Sequence, residues 1–167
     1  MNTENISLLI NIIKKEYEYH QKLCESARDK KVAIIENSVE DLAGVIEKEE
    51  DLLNDLNQLE NKRARVLKEI ADDYKFNNKT PNYNMLKAEL ATDRQGELKN
   101  IRNKLLSVID ELKKVNEENK VLLEEAIKLN KFSFELIADS LSPANTTYDQ
   151  NENNKEKKVK NIVDHRA

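Results

Sequence analysis

Glu16, His20 and Cys24 follow one another at intervals of four in the sequence, so a helix would carry all three on one face, as metal ligands could be carried. A metal site needs three or four ligands, and the chain's other histidine, His165, lies near its end. The Glu-x-x-His pairs of di-iron helical bundles are missing, because Tyr17 and Ile162 stand three residues ahead of the two histidines. The better reading is a histidine and a cysteine in a helix seam. No glycine loop could cradle a phosphate, since Gly44 and Gly96 are isolated. The acidic run Glu47, Glu49, Glu50 and Asp51 reads as a solvated helix face. No catalytic residue, cofactor or metal is assigned, and the chain is read as a protein without enzymatic activity.

The elements that would position any site are helices. Of 167 residues, 36% are charged and only two are glycine and two proline. Aromatics are sparse and tryptophan is absent. Such a chain favours long helices over the tight turns and shaped loops of an α/β enzyme. The net charge of −4 is spread along the sequence, with no basic block in the helical part to meet a phosphate backbone. Lys155, Lys157, Lys158 and Lys160 form the one cationic cluster, interrupted by Glu156 and read as solvated tail. A single cysteine excludes an internal disulfide and fits a reducing compartment. The N-terminal MNTENISLLINIIKKE has neither the basic start nor the apolar run of a signal peptide. No apolar run is long enough to span a membrane. These features predict a cytoplasmic protein with no direct membrane insertion and no nucleic-acid partner.

Ile6, Ile10, Ile13, Tyr17, His20, Cys24, Ala27, Lys31 and Ile34 alternate at fours and threes, a heptad stripe predicting a helix over 4–35. Ser38 with Asp41 resembles a capping box and starts a second helix, 39–74. Its expected seam is Leu42, Ile46, Leu53, Leu56, Leu67 and Ile70, flanked by Val45, Leu52, Leu59 and Val66. Turn residues gather in KFNNKT, and Thr80-Pro81 reads as the start of a short helix, 81–90. Thr92 with Gln95 suggests another capping box before a third long helix, 93–141, which Pro143 should end. The expected fold is all-α: an elongated antiparallel bundle of about three long helices spanning 1–141. Residues 142–167 are too polar to offset their ordering entropy and are expected to be a disordered tail.

The third helix carries Leu98, Ile101, Leu105, Val108, Leu112, Val115, Asn119, Leu122, Ala126 and Leu129 at alternating threes and fours. Asn119 interrupts this seam, either as a buried asparagine that fixes register at some cost in stability or as a partly exposed polar residue at a loose point in a thin bundle. Beyond it, VLLEEAIKLNKFSFELIADSL (121–141) changes pattern. Leu122, Ala126, Leu129 and Leu136 continue the stripe. Phe132 falls to one side, and Leu123, Ile127, Phe134 and Leu141 fall to the other. So wide an apolar arc must be covered from more than one direction. The cover is either the chain's own helices or a second copy, or else another protein's amphipathic segment.

Four features together resemble one family: helix one, the break before SVEDLAGVIEKEEDLLNDLNQLENKRARVL, the segment VNEENKVLLEEAIKLNKFSFELIADSL, and the tail with TTYDQN and VDHRA. The chain resembles the FlgN-type flagellar chaperones over nearly its whole length. In that family the tail tyrosine is usually followed by glycine, whereas Asp149 follows Tyr148 here. The resemblance implies a cytoplasmic type III export chaperone. Such a protein would bind flagellar hook-associated (junction) proteins, prevent their premature aggregation and deliver them to the flagellar export apparatus. It places client binding on the end of the third helix, here Leu122, Leu123, Ala126, Ile127, Leu129, Phe132, Phe134, Leu136, Ile137 and Leu141, and export-gate docking on Tyr148. The alternative is a structural coiled-coil scaffold, an adaptor with no chaperone role and its apolar surface covered in a homo-oligomer.

Overall fold

A computed structural model describes residues 3–76 and 80–141. Four helices make up the regular structure of the described residues: α1 (Thr3–Ile35), α2 (Val39–Asp73), α3 (Tyr83–Glu89) and α4 (Thr92–Leu141). No strand occurs among the described residues. The fold is an all-α bundle of three long helices and one short one.

Helix ends are set by local chemistry. Asn37 adopts the left-handed conformation (φ 53°), and Ser38 N–H donates to Ala33 O at 3.0 Å. This bond, reaching back five residues, closes α1 in a Schellman turn. Ser38 then caps α2: its hydroxyl accepts from Asp41 N–H at 3.3 Å and donates to the Asp41 carboxylate at 2.6 Å. The α2 terminus repeats the closing device with Lys75 (φ 54°) and a Phe76 N–H to Ala71 O bond of 3.0 Å. Asn82, rather than Thr80, caps α3 by accepting from Met85 N–H at 3.1 Å. Gln95 does not complete a box with Thr92; its side-chain amide donates to Leu90 O at 2.8 Å, because α4 already begins at Thr92.

Helix α1 is the shared element. Both α2 and α4 pack along it, and no other pair of helices packs extensively. Direction alternates through the hairpin, so α1 and α4 run parallel, with Lys14 beside Glu97 at one end and Lys31 beside Glu118 at the other. Serving two neighbours requires a wider buried face than one heptad stripe. Ile6, Ile10, Cys24, Ala27 and Ile34 of the expected stripe are buried, and so are Leu9, Ile12, Leu23, Ser26 and Ala33. On α2 the buried row is Leu56, Leu59, Val66 and Ile70. Ile46 and Leu53, placed in the seam by the sequence, are 44% and 54% exposed.

The bundle is not uniform along its length. Its thickest apolar core joins the start of α1 (Ile6, Leu9, Ile10), the end of α2 (Val66, Ile70), Leu86 of α3, and Leu98 and Ile101 of α4. Tyr74 and Phe76 stack beside it, ring centroids 5.8 Å apart. Towards the α1–α2 turn large buried residues thin out: Ile34 keeps company with the small or polar Ser26, Ala27, Ala33 and Asn119. Packing energy, proportional to apolar area removed from water, therefore concentrates at the α3 end.

Candidate functional site: the free end of helix α4

Helix α4 begins under cover and, among the described residues, ends without it. Leu98, Ile101, Val108 and Asn119 are buried. Leu122 and Ala126 are half-buried, and every residue from Ile127 to Ser140 is exposed. The cause is length, since α1 stops at Ile35 while α4 runs for 50 residues. Asn130 Nδ2 donates to Asn37 Oδ1 at 3.1 Å, which sets the α1–α2 turn beside residue 130. The eleven residues beyond project past the hairpin by about 16 Å, at ~1.5 Å per residue.

The projection is apolar on several sides. Ile127, Leu129, Phe132, Phe134, Leu136 and Ile137 are each more than half exposed, and Phe134 is 76% exposed. The sequence left open whether the chain's own helices cover this arc; they do so only as far as Ala126. The helix is held locally instead. Lys128 pairs with Glu125 at 2.9 Å, and Ser133 and Ser140 return their hydroxyls to Leu129 O and Ile137 O at 2.9 and 2.7 Å. Leu141 ends α4, and Tyr148 lies outside the described residues.

Where α4 leaves α1, charge frames the apolar seam. Arg28 pairs with Glu111, and Lys31 Nζ lies 2.8 Å from Glu118. The Lys31 hydrogen bond holds the Glu118 carboxyl below its ordinary value. Asn119 Nδ2 donates to Ala27 O at 2.6 Å, so the asparagine is buried and bonded across the interface rather than loosely exposed. An open groove follows between Ile35 of α1 and Val121 and Leu122 of α4, rimmed by Lys31, Lys114, Glu117 and Glu118. Ile35 and Val121 were not singled out by the sequence reading. Their signal was the Ile34-Ile35 pair, of which one seam can bury only the first.

Glu16, His20 and Cys24 turn to three different partners. Glu16 Oε2 meets Arg63 of α2 at 2.7 Å, His20 Nδ1 lies 2.7 Å from Glu16 O, and Cys24 Sγ approaches Val108 O of α4 at 3.5 Å. Burial pushes the Cys24 thiol above its ordinary value. Among the described residues no group of three or more His, Cys, Asp or Glu could hold a metal ion.

A protein-family model described as FlgN protein matches residues 1–156. The chain belongs to the FlgN family. That family is one of flagellar export chaperones rather than enzymes, and membership carries the role in its general form, binding of flagellar hook-associated proteins for export. Comparisons of this FlgN-family chain with curated proteins and with solved structures return no match. No helix among the described residues is long and apolar enough to cross a membrane.

Proposed function

We propose that this FlgN-family chain works in the cytoplasm, holding a terminal helical segment of a hook-associated protein against the free end of α4 and delivering it to the flagellar export apparatus. The observation that supports this is the projection itself. An amphipathic client helix laid on Leu129, Phe132, Phe134, Leu136 and Ile137 would remove from water apolar side chains that the bundle leaves exposed. Leu122, Leu123, Ala126 and Ile127 would extend the contact to the groove at Ile35, and Leu141 would close it. In this division of labour, residues 1–141 form the holding bundle and 142–167 a delivery tail. Tyr148 would dock to the export machinery through an apolar ring and a hydroxyl hydrogen bond.

The test is co-purification of a hook-associated protein with the wild type and with Phe134→Asp/Ile137→Asp. Carboxylates at an apolar interface are costly, so the double variant should keep its helicity and lose the client. Retained binding by the folded variant would move the client site elsewhere. A stable homo-oligomer that binds no hook-associated protein would favour the scaffold instead.

A further inference from the structure

Helix α4 presents to α1 an apolar stripe edged by glutamates, and the same pattern continues after α1 has ended. Glu111, Glu118 and Glu125 recur at intervals of seven along one edge. Helix α1 supplies Arg28 to the first and Lys31 to the second, beside its buried Ala27 and Ile34. The third position falls beyond Ile35, and among the described residues Glu125 pairs with Lys128 of its own helix. Next to it the stripe goes on as Leu129 and Leu136, while Phe132 takes the next place on the Glu125 edge and Asp139 the place after it; the three apolar residues are exposed. What this surface lacks is one more turn or two of a lysine-bearing aliphatic helix.

The chain contains such a segment outside the described residues. Lys157-Lys158-Val159 matches Lys30-Lys31-Val32 of the last turns of α1, and each is followed by an aliphatic pair, Ile162-Val163 beginning three residues after its valine and Ile34-Ile35 two residues after. Val159, Ile162 and Val163 are spaced i, i+3, i+4, which is one face of a helix. At the α4 end Glu124, Glu125, Glu135 and Asp139 outnumber Lys128 and Lys131, and Lys155, Lys157, Lys158 and Lys160 oppose that acidic excess in sign. Reach is sufficient: residues 142–158 can extend up to about 56 Å at ~3.3 Å per residue, against about 30 Å for α4 from 121 to 141 at ~1.5 Å per residue. Tethering also makes the encounter intramolecular, at an effective concentration on the order of millimolar.

We propose that residues 157–163 of this chain fold against Leu129, Phe132 and Leu136 of α4, extending the surface that α1 provides and placing lysines beside Glu125 and Asp139. The docking holds whatever else binds α4; that a client must displace it rests on the function proposed above. Amide exchange along α4 in the full chain, without client, tests it for the wild type and for Val159→Asp/Ile162→Asp. If the segment is docked about four-fifths of the time, the double substitution should speed exchange over 129–139 about fivefold and leave α1 and α2 unchanged. High salt should produce part of the same acceleration in the wild type. Equal rates in the two proteins would overturn the proposal. So would protection that grows with protein concentration and survives the substitution, since a second copy would then be the occupant.

Discussion

Ile70→Ala and Phe134→Ala remove apolar side chains from the two extremes of this molecule. Ile70 is fully buried, at 0% exposure, within the core at the α3 end. Its truncation removes three carbons, about 2.4 kcal/mol of transfer free energy at ~0.8 kcal/mol each. The cavity left against Ile6, Leu9 and Val66 should bring the total to about 3–4 kcal/mol. Phe134 is the larger side chain, yet it is 76% exposed and no other helix packs on it, so its truncation should change stability by no more than about 0.5 kcal/mol. Urea unfolding followed by circular dichroism measures both, with unchanged slopes showing that the midpoints report stability. A loss above about 2 kcal/mol for Phe134→Ala would show that the α4 end is packed in solution, and the reading of a free apolar projection would fail. A loss below about 1 kcal/mol for Ile70→Ala would refute the placement of the core.

Lys75→Gly should stabilise the chain by about 0.5–1 kcal/mol, because Lys75 occupies the left-handed position that closes α2 and glycine adopts it without a Cβ penalty; a lower urea midpoint would contradict this. Asn119→Asp keeps the shape but faces a carboxylate to Ala27 O in a site only 4% exposed, so it should cost about 2–3 kcal/mol at neutral pH. Part of that loss should return on acidification in the same unfolding assay; pH-independent stability would count against a buried site. Burial is the main influence on Glu16 and pushes its carboxyl above its ordinary value, against the opposing pull of Arg63. The folded state thus holds that proton more tightly than the unfolded chain. Glu16's contribution is greatest below about pH 4 and declines as pH rises through the folded value. The melting temperature of the wild type relative to Glu16→Gln should accordingly fall from about pH 4 to pH 7, and a relative rise would reverse the assigned sign.

Much of this architecture is legible in the residues. The heptads of α1 and α4, the Ser38–Asp41 cap and the wide arc after Asn119 each follow from a local rule. What the sequence hides is the choice among equally apolar rows. On α2, Ile46 and Leu53 compete with Val45, Leu52 and Leu59, and nothing local separates them. The register is decided across the interface, where Lys30 of α1 pairs with Glu49 and Glu16 with Arg63. These partners are 19 and 47 residues apart in the chain. The double duty of α1 was hidden likewise: Leu9, Ile12 and Leu23 lie outside its heptad stripe because they serve a second neighbour. At the candidate site the apolar arc could be read from the sequence. That it stays uncovered depends on where α1 ends relative to Asn130, which is a tertiary fact.

The central claim is that the free end of α4 is the client-holding surface. The most direct measurement is amide exchange along the purified full-length chain, with and without a saturating peptide from the terminal helical segment of a hook-associated protein. Strong new protection over 122–140, with the α3-end core unchanged, is the predicted result. Protection confined to α2 or to the α3 end, with residues 127–140 exchanging as fast as in the free chain, would contradict it.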